Sequence, residues 1–275
     1  MAAQSGKKRL IICAALALFV CAVIIAAATG LKLPEATGKT VRKDGKITVD
    51  CSNMSEGYIM VKGKKSSKRL KIQIATAGAK LNYDLNSNGE YEVFPLQFGN
   101  GKYQVSLFEN VSGKKYSKEG SVKLSVKMEN ELSCFLYPNQ YVNYDENTAC
   151  VKYAGELCKG MTDQADIFAA VTNYVKGGTF VYDYIKSVTV KPGQLPQIDE
   201  CWETRMGICQ DLSAMTCAML RSQGIPARLM IGTVGANTYH AWVVAVVNGD
   251  ERFFDPTAEL NASSKTETYT TERYY

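Results

Sequence analysis

Cys209, His240 and Asp255 are of the three residue types that together make a thiol nucleophile. A cysteine attacks as its thiolate, and an ordinary thiol is only a few per cent ionised at neutral pH, so it needs a base or a positive electrostatic setting. An imidazole supplies the base. A carboxylate behind it holds the ring in one tautomer and one orientation. His240 is the only histidine in 275 residues, so any imidazole chemistry in this chain happens there.

The spacing around each residue predicts the element that presents it. Leu212, Met215, Met219 and Leu220 recur at helical intervals, and Gly224 followed by Pro226 stops the run, which predicts a helix from about Gln210 to Gln223. Cys209 then sits at the helix N-terminus, where unsatisfied N–H groups and the helix dipole favour negative charge. Gly207 allows a sharp approach to that position. Cys217 falls mid-helix and is expected to be a packed structural residue, while Cys201 falls in a loop as a free or bridged thiol. AWVVAVV (241–247) is apolar on both faces, as in a central strand. Asn248-Gly249 turns the chain and ERFFD (251–255) returns. With a two-residue turn Val247 pairs with Asp250. His240 would then oppose Thr257, and Asp255 would be its diagonal neighbour on the same face, within reach of the ring.

Four blocks now resemble a known family. GICQD (207–211), LRSQGIPAR (220–228), YHAW (239–242) and FFDPT (253–257) are similar to the transglutaminase-like superfamily, the resemblance covering 145–260 and being most specific over 203–257. It implies an α+β papain-like fold with the triad in the order Cys, His, Asp. It implies Cys209 as nucleophile, His240 as general base and acid, and Asp255 as the orienting group, with no cofactor. The implied reaction is thioester formation on a protein or peptide amide, resolved by an amine (crosslinking) or by water (deamidation or proteolysis). A catalytically inactive scaffold or binding protein at the cell surface would share the same blocks. The backbone N–H of Cys209 is the natural first oxyanion donor, with Trp202 or Tyr182 as the second.

The rest of the chain sets the context. KKR (7–9) precedes LIICAALALFVCAVIIAAA (10–28), an uncharged stretch that as a helix spans roughly 28 Å, about the thickness of a bilayer core. Positive charge before it keeps the N-terminus cytoplasmic and places the remainder outside, as a single-pass membrane protein. Cleavage after Ala26-Ala27-Ala28 would give a secreted protein instead. Residues 29–45 have the composition of a linker. Residues 46–128 hold short alternating segments, predicting an all-β sandwich-like module, with Asn100-Gly101 as a hairpin turn. Residues 129–260 show helical periodicity at 149–158 and 166–177, with Thr162 or Asp163 as a cap, a short extended piece at 179–184 and a loop at 191–200. Residues 261–275 read as a polar, mobile tail, with docking through its tyrosines as the alternative.

Charge is uneven: residues 45–130 carry 14 Lys/Arg against 8 Asp/Glu, and residues 131–275 carry 11 against 17. KGKKSSKR (62–69) has no interleaved aromatic, which argues against single-stranded nucleic acid and for a solvated face. Seven cysteines lie beyond residue 29, an odd number that leaves at least one unpaired in an oxidising setting. No C-x-x-C exists and one histidine does not complete the usual zinc spacings, so no metal is expected. Extracellular or cell-wall proteins and peptides are the expected substrates.

Overall fold

The computed structural model describes residues 30–261 and 268–275. The apolar stretch 10–28 lies outside them. Among the described residues no helix is long and apolar enough to cross a membrane.

The first half is built on strict alternation. In Leu70–Ala75 the buried residues are Leu70, Ile72 and Ile74, and the residues between them are half-exposed. Such strands hide one face only by pairing two sheets. Eight antiparallel strands do so: β1 (Val41–Asp44), β2 (Ile47–Asp50), β3 (Tyr58–Gly63), β4 (Leu70–Ala75), β5 (Lys80–Leu85), β6 (Glu92–Pro95), β7 (Gly101–Ser112) and β8 (Lys115–Val126). The sheets run β1-β2-β3-β6 and β5-β4-β7-β8. Ile47, Val49, Ile59, Val61 and Phe94 of one share a core with Ile72, Ile74, Val105, Leu107 and Leu124 of the other.

Two expectations need correction here. β1 falls inside the stretch read as linker. Asn100-Gly101 does not close a hairpin, because β6 pairs with β3 and β7 pairs with β4 and β8. The Asn100 side chain instead accepts from the Met128 N–H at 2.6 Å, and its own N–H goes to Glu131. The long hairpin is β7–β8, turning at Gly113 with φ of 52°. Lys64, Lys65, Lys68 and Arg69 of the basic stretch are exposed between β3 and β4.

The second half contains α1 (Ala149–Leu157), α2 (Gln164–Tyr174), β9 (Val181–Tyr182), α3 (Tyr184–Thr189), α4 (Ile198–Thr204), β10 (Met206–Gly207), α5 (Cys209–Ser222), β11 (Ala227–Val234), β12 (Thr238–Val247), β13 (Asp250–Phe254), α6 (Pro256–Leu260) and β14 (Tyr269–Tyr274). Asp163 caps α2 through the Ala165 and Asp166 N–H groups. α5 is buried from Asp211 to Ser222 and packs on the sheet β13-β12-β11-β14. A helix covered all round needs its polar side chains satisfied internally. Ser213 donates to the Ala241 carbonyl, Thr216 to Leu212 and Ser222 to Met219.

Two further corrections concern this half. Cys201 is not in a loop but fully buried in α4, a helix too short to show periodicity. The stretch read as a mobile tail carries β14, which pairs antiparallel with β11 and ends on the buried Tyr275.

That last strand also fastens the two halves together. Arg221 is fully buried. Its guanidinium donates to the carbonyls of Ala227, Tyr137 and Tyr275, each at 2.8 Å. Tyr275 stacks on Tyr141 at 3.6 Å and meets Tyr83 of the sandwich edge-on. Gln97 and Tyr274 exchange two further hydrogen bonds. Replacing Arg221 by Met would remove three hydrogen bonds to buried backbone oxygens, of which only that of Tyr275 is known to keep another donor, the Leu229 N–H, and is expected to cost roughly 3 kcal/mol or more. Urea denaturation of Arg221→Met checks this, and an unchanged midpoint would refute the clasp.

Candidate active site

Cys209 occupies the first position of α5. The N-cap, Ile208, is extended (φ −88°, ψ 176°) and has no side-chain acceptor of its own. Asp211 does the capping from inside: one carboxylate oxygen accepts the Ile208 N–H at 3.1 Å. Lys186 Nζ of α3 lies 3.0 Å from that same oxygen, and the other oxygen accepts the Gln197 N–H at 2.8 Å. This fully buried carboxylate thus ties the start of α5 to α3 and to the 194–198 segment. Burial works against the Lys186 charge, but Glu200 and Asp211 more than offset it and raise the ammonium above its ordinary range. Gly207 has a reason other than a sharp turn. A Cβ there would come within 2.6 Å of the Cys201 sulfur, so the glycine lets α4 close against the strand leading to Cys209.

Among the described residues all seven cysteines are free thiols, and Cys209 alone is not buried. Burial pushes the thiol of Cys51 up to about 11 and those of Cys134, Cys201 and Cys217 up to about 12. It also raises Cys150 and Cys158. These six are packing residues by environment.

His240 stands on β12 opposite Gly232 of β11, and 9% of it is exposed. The β12–β13 turn has the two-residue register, with Val247 opposite Asp250. The ladder ends at Val243–Phe254, however, so Thr257 does not oppose His240. Asp255 leaves the sheet and becomes the N-cap of α6. Its Oδ1 accepts the Thr257 and Ala258 N–H groups at 2.9 and 3.1 Å. Pro256, with fixed φ and no N–H, suits the first position of that helix. The chain turns out of the ladder at that point, yet Asp255 still meets the ring. His240 Nε2 and Asp255 Oδ2 lie 2.6 Å apart, and the carboxyl is 3% exposed. Nδ1 is thereby left clear of Asp255, and Cys209 lies close enough to the ring to favour its charged form.

The electrostatics follow from this arrangement. Burial disfavours a charged imidazole, but the hydrogen bonds to Asp255 and Cys209 outweigh it and push His240 up to about 9. Burial likewise opposes the Asp255 charge. His240, the Ala258 N–H and the Tyr269 hydroxyl reverse that and hold the carboxyl below its ordinary range.

Of the two candidate second donors, Tyr182 lies at the site. It pairs with Gly207, and burial followed by the proximity of Cys209 raises its phenol. Trp202 packs in a cluster with Tyr153, Tyr174, Phe180 and the Arg205 guanidinium. Asp211 and Tyr269 were not singled out from sequence. A carboxylate at the third helical position was a usable signal for Asp211. Nothing local marks Tyr269, whose hydroxyl donates to Asp255 Oδ2 at 2.7 Å. Among the described residues no group of three or more His, Cys, Asp and Glu side chains is placed to hold a metal ion.

Brief treatment of the folded protein with iodoacetamide is expected to alkylate Cys209 and spare the six buried thiols until denaturant is added. Peptide mass mapping checks this, and equal labelling of Cys201 or Cys217 would contradict the packing.

The sequence profile of the transglutaminase-like superfamily matches residues 151–254. No curated protein matches the chain. Among solved structures, a candidate cysteine protease from Cytophaga hutchinsonii aligns at 14% identity over 86% of this chain and 90% of that one, with a TM-score of 0.40. A candidate protease from Parabacteroides distasonis aligns at 9% over 76% and 62%, with a TM-score of 0.35. Red sea bream transglutaminase aligns at 11% over 72% of this chain and 47% of its own, with a TM-score of 0.30. Similarities of this degree carry no residue roles. Residues 151–254 are thus similar to the transglutaminase-like superfamily, and the likeness to that family rests on this stretch of the chain.

Proposed function

We propose that the protein is an exported, membrane-tethered thiol enzyme that forms a thioester at Cys209. The observation that carries this reading is the short, desolvated His240–Asp255 pair set against the half-buried sulfur. The thiolate adds to a carboxamide or peptide carbonyl carbon. The oxyanion so formed faces the Cys209 N–H at the start of α5, with the Tyr182 side supplying the second contact. Imidazolium Nδ1–H passes its proton to the departing amine or ammonia, the C–N bond breaks, and the thioester remains. Neutral His240 then takes a proton from an incoming primary amine or water. That nucleophile displaces the sulfur, releasing the acyl group as a new amide or a carboxylic acid.

Extracellular or cell-wall proteins and peptides fit as substrates. Gly30 packs against Gly224 at the C-terminal end of α5, and a Cβ there would sit 2.9 Å from the Gly224 nitrogen. Cys209 is at the opposite end of this 14-residue helix, roughly 21 Å along it. The described chain thus begins, at Gly30, away from the sulfur, which supports a tether on that side. The exposed lysines between β3 and β4 give the sandwich a basic face suited to anionic surroundings.

The decisive assay is turnover of a glutamine-containing peptide, with and without a primary amine. Activity should fall at least about 10³-fold in Cys209→Ser. Amine incorporation would identify a transferase and ammonia release alone a hydrolase. No turnover by the wild type in either format would sink the proposal. The pH profile is a separate check. The imidazolium is present below its midpoint near 9 and lost above it, so kcat/KM should decline on the alkaline side around that pH. Asp255→Asn removes the charge that raised the ring and leaves burial to lower it. The alkaline limb should therefore move down towards neutrality, with kcat reduced by about 10³-fold or more.

A further inference from the structure

Asp255 Oδ2 serves two donors at once: His240 Nε2 at 2.6 Å and the Tyr269 hydroxyl at 2.7 Å. Tyr269 arrives from β14, at the sheet edge opposite β13. To reach the carboxylate its side chain passes over β11 and β12. The ring lies 6.2 Å from His240, 5.0 Å from Trp242 and 4.9 Å from Phe253, centroid to centroid. The path depends on Gly232, the residue opposite His240. β14 is irregular where it passes Ile231 and Gly232, and a Cβ at 232 would lie 1.9 Å from the Thr270 carbonyl oxygen. Residue 269 lies beyond the 151–254 match, so nothing in the family profile calls for a phenol here.

We propose that Tyr269 is a positioning residue of the Cys209–His240–Asp255 site, which it serves by sharing Asp255 Oδ2 with the imidazole and covering the pair from water. This rests on the thiol-enzyme reading above. The phenol fixes the carboxylate rotamer together with the α6 N–H groups, so the ring has one acceptor in one place. It also withdraws part of the negative charge that Oδ2 would otherwise direct at the imidazolium. The titratable groups against the ring are Asp255, Cys209 and Tyr269, and Trp242 beside it carries no charge. Tyr269 therefore moderates the imidazolium and keeps it able to give up its proton within a turnover.

Because the chain has one histidine, its Cε1–H resonance reports this ring without assignment ambiguity. Tyr269→Phe in the full chain keeps the ring contacts and removes only the O–H. The His240 midpoint is expected to rise by about half a pH unit, since Oδ2 then serves the imidazolium alone. On an amide substrate kcat should fall about tenfold with KM within about twofold. An unchanged or lowered midpoint overturns the proposal. As a second measurement, the wild-type protein at neutral pH and low temperature should show a protected phenol O–H resonance with a nuclear Overhauser effect to the His240 ring. Its absence overturns the proposal even if the variant fails to fold. The titration needs no turnover. An inert protein whose midpoint still moves would defeat the enzyme reading alone, and an active protein whose midpoint stays put would defeat the Tyr269 role alone.

Discussion

A buried imidazole and a buried carboxylate 2.6 Å apart are the constraint around which the rest of this half of the molecule is arranged. Either charge alone would be expensive in that setting. Together they are tolerable because every remaining lone pair of Asp255 has a donor: two α6 N–H groups on one oxygen, the Tyr269 hydroxyl beside His240 on the other. A carboxylate satisfied on all sides cannot rotate to follow the ring, so the ring follows it. The remaining nitrogen is then left clear for the Cys209 side.

The other requirement is that the sulfur be delivered to that place. α5 is buried along nearly its whole length, and a helix that cannot tilt without disturbing the core gives its first residue a defined position. Ser213, one turn beyond Cys209, donates to the carbonyl of Ala241, the residue after His240. One hydrogen bond thus joins the thiol's helix to the imidazole's strand close to the reacting groups. At the helix tip, Asp211 and Lys186 hold α3 and the 194–198 segment around the opening. The chain spends seven cysteines on this half and the sandwich, yet their burial keeps six out of any reaction.

The β sandwich and the transglutaminase-like domain are joined by the last strand of the chain. Tyr275, Tyr274 and the buried Arg221 connect β14 to Tyr137, Tyr141, Tyr83 and Gln97. The same strand carries Tyr269 to Asp255. Packing between the two halves and the placement of a residue at the site therefore share one element, whose register is set by the close approach of Gly232.

How much of this was legible beforehand divides along the range of the interactions. Amino-acid order alone determined the helix behind Cys209, through its apolar spacing and the Gly224–Pro226 stop. It also determined the two-residue turn at Asn248-Gly249 and the alternating strands of the sandwich, whereas Asp255 meets His240 from the start of α6 and not through the ladder. All of these are patterns within a single turn or a single pair of neighbouring strands. Tertiary structure alone decided that Asn100-Gly101 joins two sheets, since a turn signal does not say which sheet the next strand will enter. Only the fold could show Cys201 as a packed helix residue, or the polar final residues as an edge strand. β14 carries few apolar residues because much of its stabilisation comes from backbone pairing with β11, from aromatic stacking and from a buried arginine. None of these partners lies near it in the sequence, so no local pattern announces them.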